Sequence, residues 1–145
     1  MSTPFRLVFF LNCLFLITTS LASDVVKIEN KIIMNMIQSL THNTNISIYT
    51  DSKRLQKILT DNIVNFVPVC SDADVAILET KHVKNCNKLP IITLKYELLK
   101  TYQNSVGSFF WQKGRPNIVF IAPRLKSQNI SVGSKFDAFV EESIW

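Results

Sequence analysis

Glycine and histidine are scarce here, with three and two copies in 145 residues. So few glycines, beside five prolines and no repeat, exclude collagen-like and linker-type chains. Neither G-x-x-x-x-G-K-[ST] nor G-x-G-x-x-G occurs, so no glycine loop is available to cradle a phosphate. The histidines, His42 and His82, lie forty residues apart in polar stretches, and H-E-x-x-H and G-x-S-x-G are absent. A protease or glycosidase needs a nucleophile, a base and a group to orient the base. The chain displays no such set, and the expectation is a protein that is not an enzyme and holds no cofactor.

Charge is sparse as well. Charged residues make up 19% and hydrophobic ones 47%, which excludes a disordered chain. The net charge of +5 is spread over Lys53-Arg54-Lys57, Lys81-Lys84-Lys88 and Arg124-Lys126, with no block of five or six like charges. Nucleic-acid binding calls for a basic stripe on a known module. The expectation is a solvated basic face and no nucleic-acid partner.

No apolar run reaches the roughly 20 residues of a membrane-spanning helix. Leu7–Ile17 (LVFFLNCLFLI) follows Arg6 and is followed by Ser20 and Ala22, small residues at −3 and −1 of a cut after Ala22. A charged start, a short apolar centre and a small-x-small exit describe a secretory signal peptide. An uncleaved N-terminal anchor is the rival. Residues 1–22 are therefore expected to be a leader and 23–145 a single exported domain, in the periplasm. That length suits one domain.

Within the domain, Val25, Ile28, Ile32, Ile33, Met36, Ile37 and Leu40 repeat at three- and four-residue spacing and predict an amphipathic helix. Strands are expected over 45–49, 63–69, 74–78 and 91–94, with Pro68 ending the ladder of the second or putting it at a sheet edge. Helices are expected over 53–60 and 95–102. Strands 106–112 and 117–121 then form an antiparallel hairpin around the four residues Lys113–Pro116. A short helix begins at Pro123, and Ser134-Lys-Phe-Asp137 has a capping-box pattern. The alternation predicts a single-domain α/β sandwich: a mixed sheet, helices on both faces, and a C-terminal hairpin followed by helices.

Three features bear on function. Cys70 and Cys86, the pair left outside the leader, are most simply a disulfide in an oxidising compartment. The rival is a metal site in which His82 and Cys86 are completed by Cys70, Asp72 or Glu79. Thr50-Asp51-Ser52 lies between a strand and a helix start, where ordinary N-capping competes with a ligand-binding role. Phe109-Phe110-Trp111 puts Phe109 and Trp111 on one strand face, as core or as an aromatic anchor for a partner beside Arg115.

The run SVGSFFWQKGRPNIVFIAPRLKSQNIS, with a closing helix after it, resembles the end of YfiR-like periplasmic proteins. Gly107, Phe109, Phe120, Ile130 and Ser131 match that outline, and LPIITL before the hairpin fits it. Ala122-Pro123 stands where the family has an Asn, and its fuller cysteine complement is missing. The resemblance implies a small non-catalytic regulator that restrains a membrane-bound signalling protein or sensor, such as a diguanylate cyclase. The same outline also looks like one lobe of a periplasmic solute-binding protein, which would bind a small ligand and could act as half of a homodimer.

Overall fold

The computed structural model describes residues 22–41, 43–60 and 64–145, and gives the backbone of 4–21 as part of a helix. The expected leader short of its last residue, His42 and the Ile63 start of the second strand lie outside the described side chains. Among the described residues seven strands form one sheet: β1 (Ile46–Thr50), β2 (Val64–Phe66), β3 (Val75–Leu78), β4 (Ile91–Thr93), β5 (Ser105–Gln112), β6 (Arg115–Ile121) and β7 (Val140–Glu141). Their order is β2-β1-β3-β4-β5-β6-β7. The first five are parallel, β6 runs antiparallel to β5, and β7 pairs parallel with β6. The fold is thus the expected α/β sandwich on a mixed sheet.

Residues of alternate parity along the central strands feed separate cores, as a pleated strand requires. Val75 and Ile77 face one side with Ile48, Ile92, Phe109 and Phe120. Helices α1 (Pro4–Leu40), α2 (Lys53–Leu59) and α4 (Ala122–Ser127) cover that side through Ile33, Met36, Ile37, Leu55, Leu59 and Leu125. Ala76 and Leu78 face the other side, under Leu98 and Tyr102 of the short helix α3 (Leu98–Thr101) and its cap. Burial on both faces explains the unbroken apolar run of β3; β4 is buried at every position as well, its one polar residue, Thr93, donating its hydroxyl to Lys95 O at 3.1 Å.

The predicted helical stripe is only partly right. Val25 and Ile28 remain exposed, and the stripe is sealed from Ile33 onward. Glu29, on the turn before, is buried at 4% exposure. Arg54 Nη1 of α2 donates to both its carboxylate oxygens at 2.8 and 2.9 Å, which ties α2 to α1.

Several boundaries shift for identifiable reasons. The Lys95–Tyr102 helix shrinks to α3, because the residues before it close three-residue turns, Leu98 N–H to Lys95 O and Leu99 N–H to Tyr96 O. The hairpin turn is two residues rather than four: Gln112 pairs Arg115, and Lys113 and Gly114 adopt φ of 50° and 73°. Positive φ at both central positions is the turn that matches strand twist. Ser134 makes no capping box. Gly133, at φ 77°, precedes a 3-10 helix over Ser134–Phe139 without a side-chain cap. Pro123 does stand in the first turn of α4. β2 is an edge strand and stops at Phe66, so the expected strand 63–69 ends before Pro68.

Two polar clamps hold the face that carries α3. Arg124 Nη1 donates to the carbonyls of Leu99, Tyr102 and Ser105 at 2.9, 3.2 and 3.0 Å, joining α4 to the end of α3. Burial pulls the guanidinium pKa below its ordinary value, while those carbonyls supply acceptors for its protons. The Tyr102 hydroxyl donates to Thr80 O at 2.6 Å and accepts from Val83 N–H at 3.2 Å. Burial raises this phenol above its usual range, the opposing effect of the Val83 bond being smaller.

Cys70 and Cys86 are joined as a disulfide, with Cα atoms 5.4 Å apart and a separation of 16 residues. Both are buried beside Leu89 and Leu98. The metal rival is overturned: the two sulfurs bond each other, His82 is exposed, and no metal-ligating cluster forms among the described residues. Closing such a loop restricts the unfolded chain and stabilises by about 3 kcal/mol. Replacing both cysteines by Ser should lower the unfolding free energy by about that amount and leave the fold intact. Mass mapping without reductant checks the bond itself, and two free thiols would refute it.

Candidate functional site

In open α/β sheets, ligands bind beyond the carboxyl ends of the strands, at the point where the strand order reverses. The order β2-β1-β3-β4-β5 places that point between β1 and β3. Thr50-Asp51-Ser52 stands there, and its polar groups are engaged within the protein. Thr50 Oγ1 accepts from Ser52 N–H at 3.1 Å, and Ser52 Oγ accepts from Leu55 N–H at 3.2 Å as the N-cap of α2. The Asp51 carboxylate accepts from the backbone N–H groups of Glu79 and Thr80 at 2.7 and 2.9 Å, and from Thr80 Oγ1 at 2.5 Å. Asp51 therefore fastens the end of β1 to the end of β3. The ligand role considered for Thr50, Asp51 and Ser52 gives way to capping and clamping. Asp74, at the opposite ends of these strands, likewise accepts from Ser47 N–H at 2.8 Å.

The open space lies one step along the same edge. A cleft of about 440 Å³ sits beyond the carboxyl ends of β3, β4 and β5. Glu79 reaches it from the residue after β3, and Lys95, Tyr96 and Glu97 from the turn after β4. Phe110, Trp111 and Gln112 line it from the last residues of β5. Arg54 enters from the first turn of α2, and Trp145 from the C-terminal segment.

Aromatic packing fixes the wall. Tyr96 stacks on Trp145 with centroids 4.3 Å apart and meets the edge of Phe110 at 5.3 Å. The Trp145 backbone N–H donates to the Tyr96 hydroxyl at 2.9 Å. Trp145 is 65% exposed and Trp111 36%. The chain has two tryptophans, and both line this cleft.

The three residues expected to bind a partner separate here. Phe109 and Trp111 share a strand face, in edge-to-face contact at 6.0 Å. Phe109, however, is 1% exposed and belongs to the core. It is corrected from anchor to core residue, because at its level of β5 the face is covered by the helical layer. Trp111, two residues on, clears that layer. Arg115 is exposed at the hairpin tip, where it borders a shallow hollow with Gln112, Lys113 and Asn117 rather than the cleft. Sequence reasoning passed over Lys95, Tyr96, Glu97 and Trp145. The position immediately after each parallel strand was the signal available for the first three.

No protein-family model matches the chain, and a search of curated proteins finds no match.

Proposed function

We propose that this chain is a non-catalytic, exported binding protein that acts by contact, through the cleft at the strand carboxyl ends and the hairpin tip beside it. The carrying observation is that both tryptophans stand exposed at this one cleft, next to a β-ribbon whose last residues, Trp111–Pro116, are solvent-facing. Trp and Arg are enriched among residues that dominate binding energies. A buried disulfide suits an oxidising compartment, and among the described residues no helix is long and apolar enough to cross a membrane. The resemblance to YfiR-like regulators makes a membrane-bound signalling protein, such as a diguanylate cyclase, the partner class, with the periplasm as the site of action. The solute-lobe reading draws support from the strand order and from a cleft within the size range of ligand pockets.

The test is capture of the membrane partner by the chain and by an Arg115→Ala variant, with thermal melting measured alongside. Arg115 is an exposed turn residue, so its loss should change stability by no more than about 0.5 kcal/mol. Partner affinity should fall roughly fivefold or more. Unchanged affinity with an unchanged melt would remove the hairpin tip from the interface.

A further inference from the structure

We infer that the cleft beyond β3, β4 and β5 is a site for a compact organic cation, an alkylammonium or a guanidinium group. The inference rests on the reading of this cleft as a binding face and names the chemistry it selects. The walls come first. Tyr96, Phe110, Trp111 and Trp145 surround one space, and aromatic faces attract cations through their ring quadrupoles, Trp most strongly.

The charges then choose the sign. Arg54 is a cation at the margin, but its Nη1 is already held by both oxygens of buried Glu29. That pair is neutral as a unit. Glu79 and Glu97 also line the cleft, and neither carboxylate is bonded or ion-paired among the described residues. Lys95 is the remaining cation, exposed on a flexible stem. Two free carboxylates against one mobile ammonium leave the aromatic space with an excess of negative charge. An anion would meet both carboxylates. An organic cation would have its charge balanced and its methyl or methylene groups covered.

The cation could be a free small molecule or a basic side chain brought by the protein partner, and the experiment separates these sources. With both tryptophans in the cleft, tryptophan fluorescence, excited beyond the tyrosine band, reports on this site. Choline is titrated against 3,3-dimethylbutan-1-ol, its neutral carbon isostere. An acetyl-Gly-Arg-Gly-amide peptide is titrated against the same peptide with citrulline in place of arginine. A saturable change with choline and not with the alcohol assigns a free cation. A change with the arginine peptide alone assigns a partner's side chain. Glu79→Gln combined with Glu97→Gln should weaken either response about threefold or more, and because these carboxylates bond no protein group the variant should fold. Equal responses to charged and neutral probes, no response up to about 10 mM, or unchanged affinity in the double variant would overturn the inference. If that happens while Arg115→Ala still weakens partner capture, the contact function stands and only the cation site falls.

Discussion

Phe109→Ala should destabilise the domain by about 3–5 kcal/mol, the range for emptying an aromatic site in a packed core. Phe109 is fully enclosed, and it shares its cluster with Ile92, Phe120 and the inner residues of α1 and α2. Its ring also supports Trp111 edge-on at 6.0 Å. The variant should therefore lose stability first, and any loss of binding should follow from unfolding. Trp111→Ser is the contrasting change. That side chain is 36% exposed, so its loss should cost far less stability while still altering the cleft. Denaturant unfolding of both variants decides the matter. A loss below about 1 kcal/mol for Phe109→Ala would mean that the ring is not enclosed, and would return it to the set of partner-binding candidates.

That pair also shows how far the residues could be read in advance. Alternation along 109–111 placed Phe109 and Trp111 on one face, and it did so correctly. It could not say where along the strand the covering layer stops, since that depends on helices distant in sequence. The buried strands were legible because VAIL is apolar at every position and IIT carries two isoleucines in a row. The disulfide was legible because only two cysteines, Cys70 and Cys86, stand outside the expected leader. The cleft was harder to see. Glu79 comes from one turn and Lys95 and Glu97 from another, with no shared motif, and only the parallel pairing of β3 with β4 brings the two turns together. β7 is two residues long and carries no pattern of its own. The hairpin turn is shorter than the sequence suggests because Pro116 is a strand residue, not a loop residue. It pairs with Trp111 near the hairpin's exposed tip, where a missing N–H costs little.

Gly107→Ala should be the most damaging of the three possible Gly→Ala changes, costing about 3 kcal/mol or more. Gly107 lies opposite Phe120 in the β5–β6 ladder and beside Ile92 of β4, so it is paired on both sides. A Cβ there would stand 2.6 Å from the Val119 carbonyl oxygen and 2.8 Å from Phe120 Cδ1. The carbonyl is backbone within a ladder and cannot move without parting the strands. The Phe120 ring is fully buried and packed edge-to-face on Phe136 at 5.2 Å, so it has nowhere to turn. The demand at Gly107 is therefore for space. Gly114 makes the opposite demand: its φ is 73°, and nothing lies within 4 Å of an added Cβ. Gly114→Ala should cost only the backbone penalty of a left-handed residue, about 1–2 kcal/mol. Unfolding curves for the two variants should keep this order, with Gly107→Ala also shifting the near-ultraviolet signal of the aromatic core. The reverse order would show that β5 and β6 are not in close register at Phe120, and the cleft at the end of β5 would lose the strand that positions Trp111.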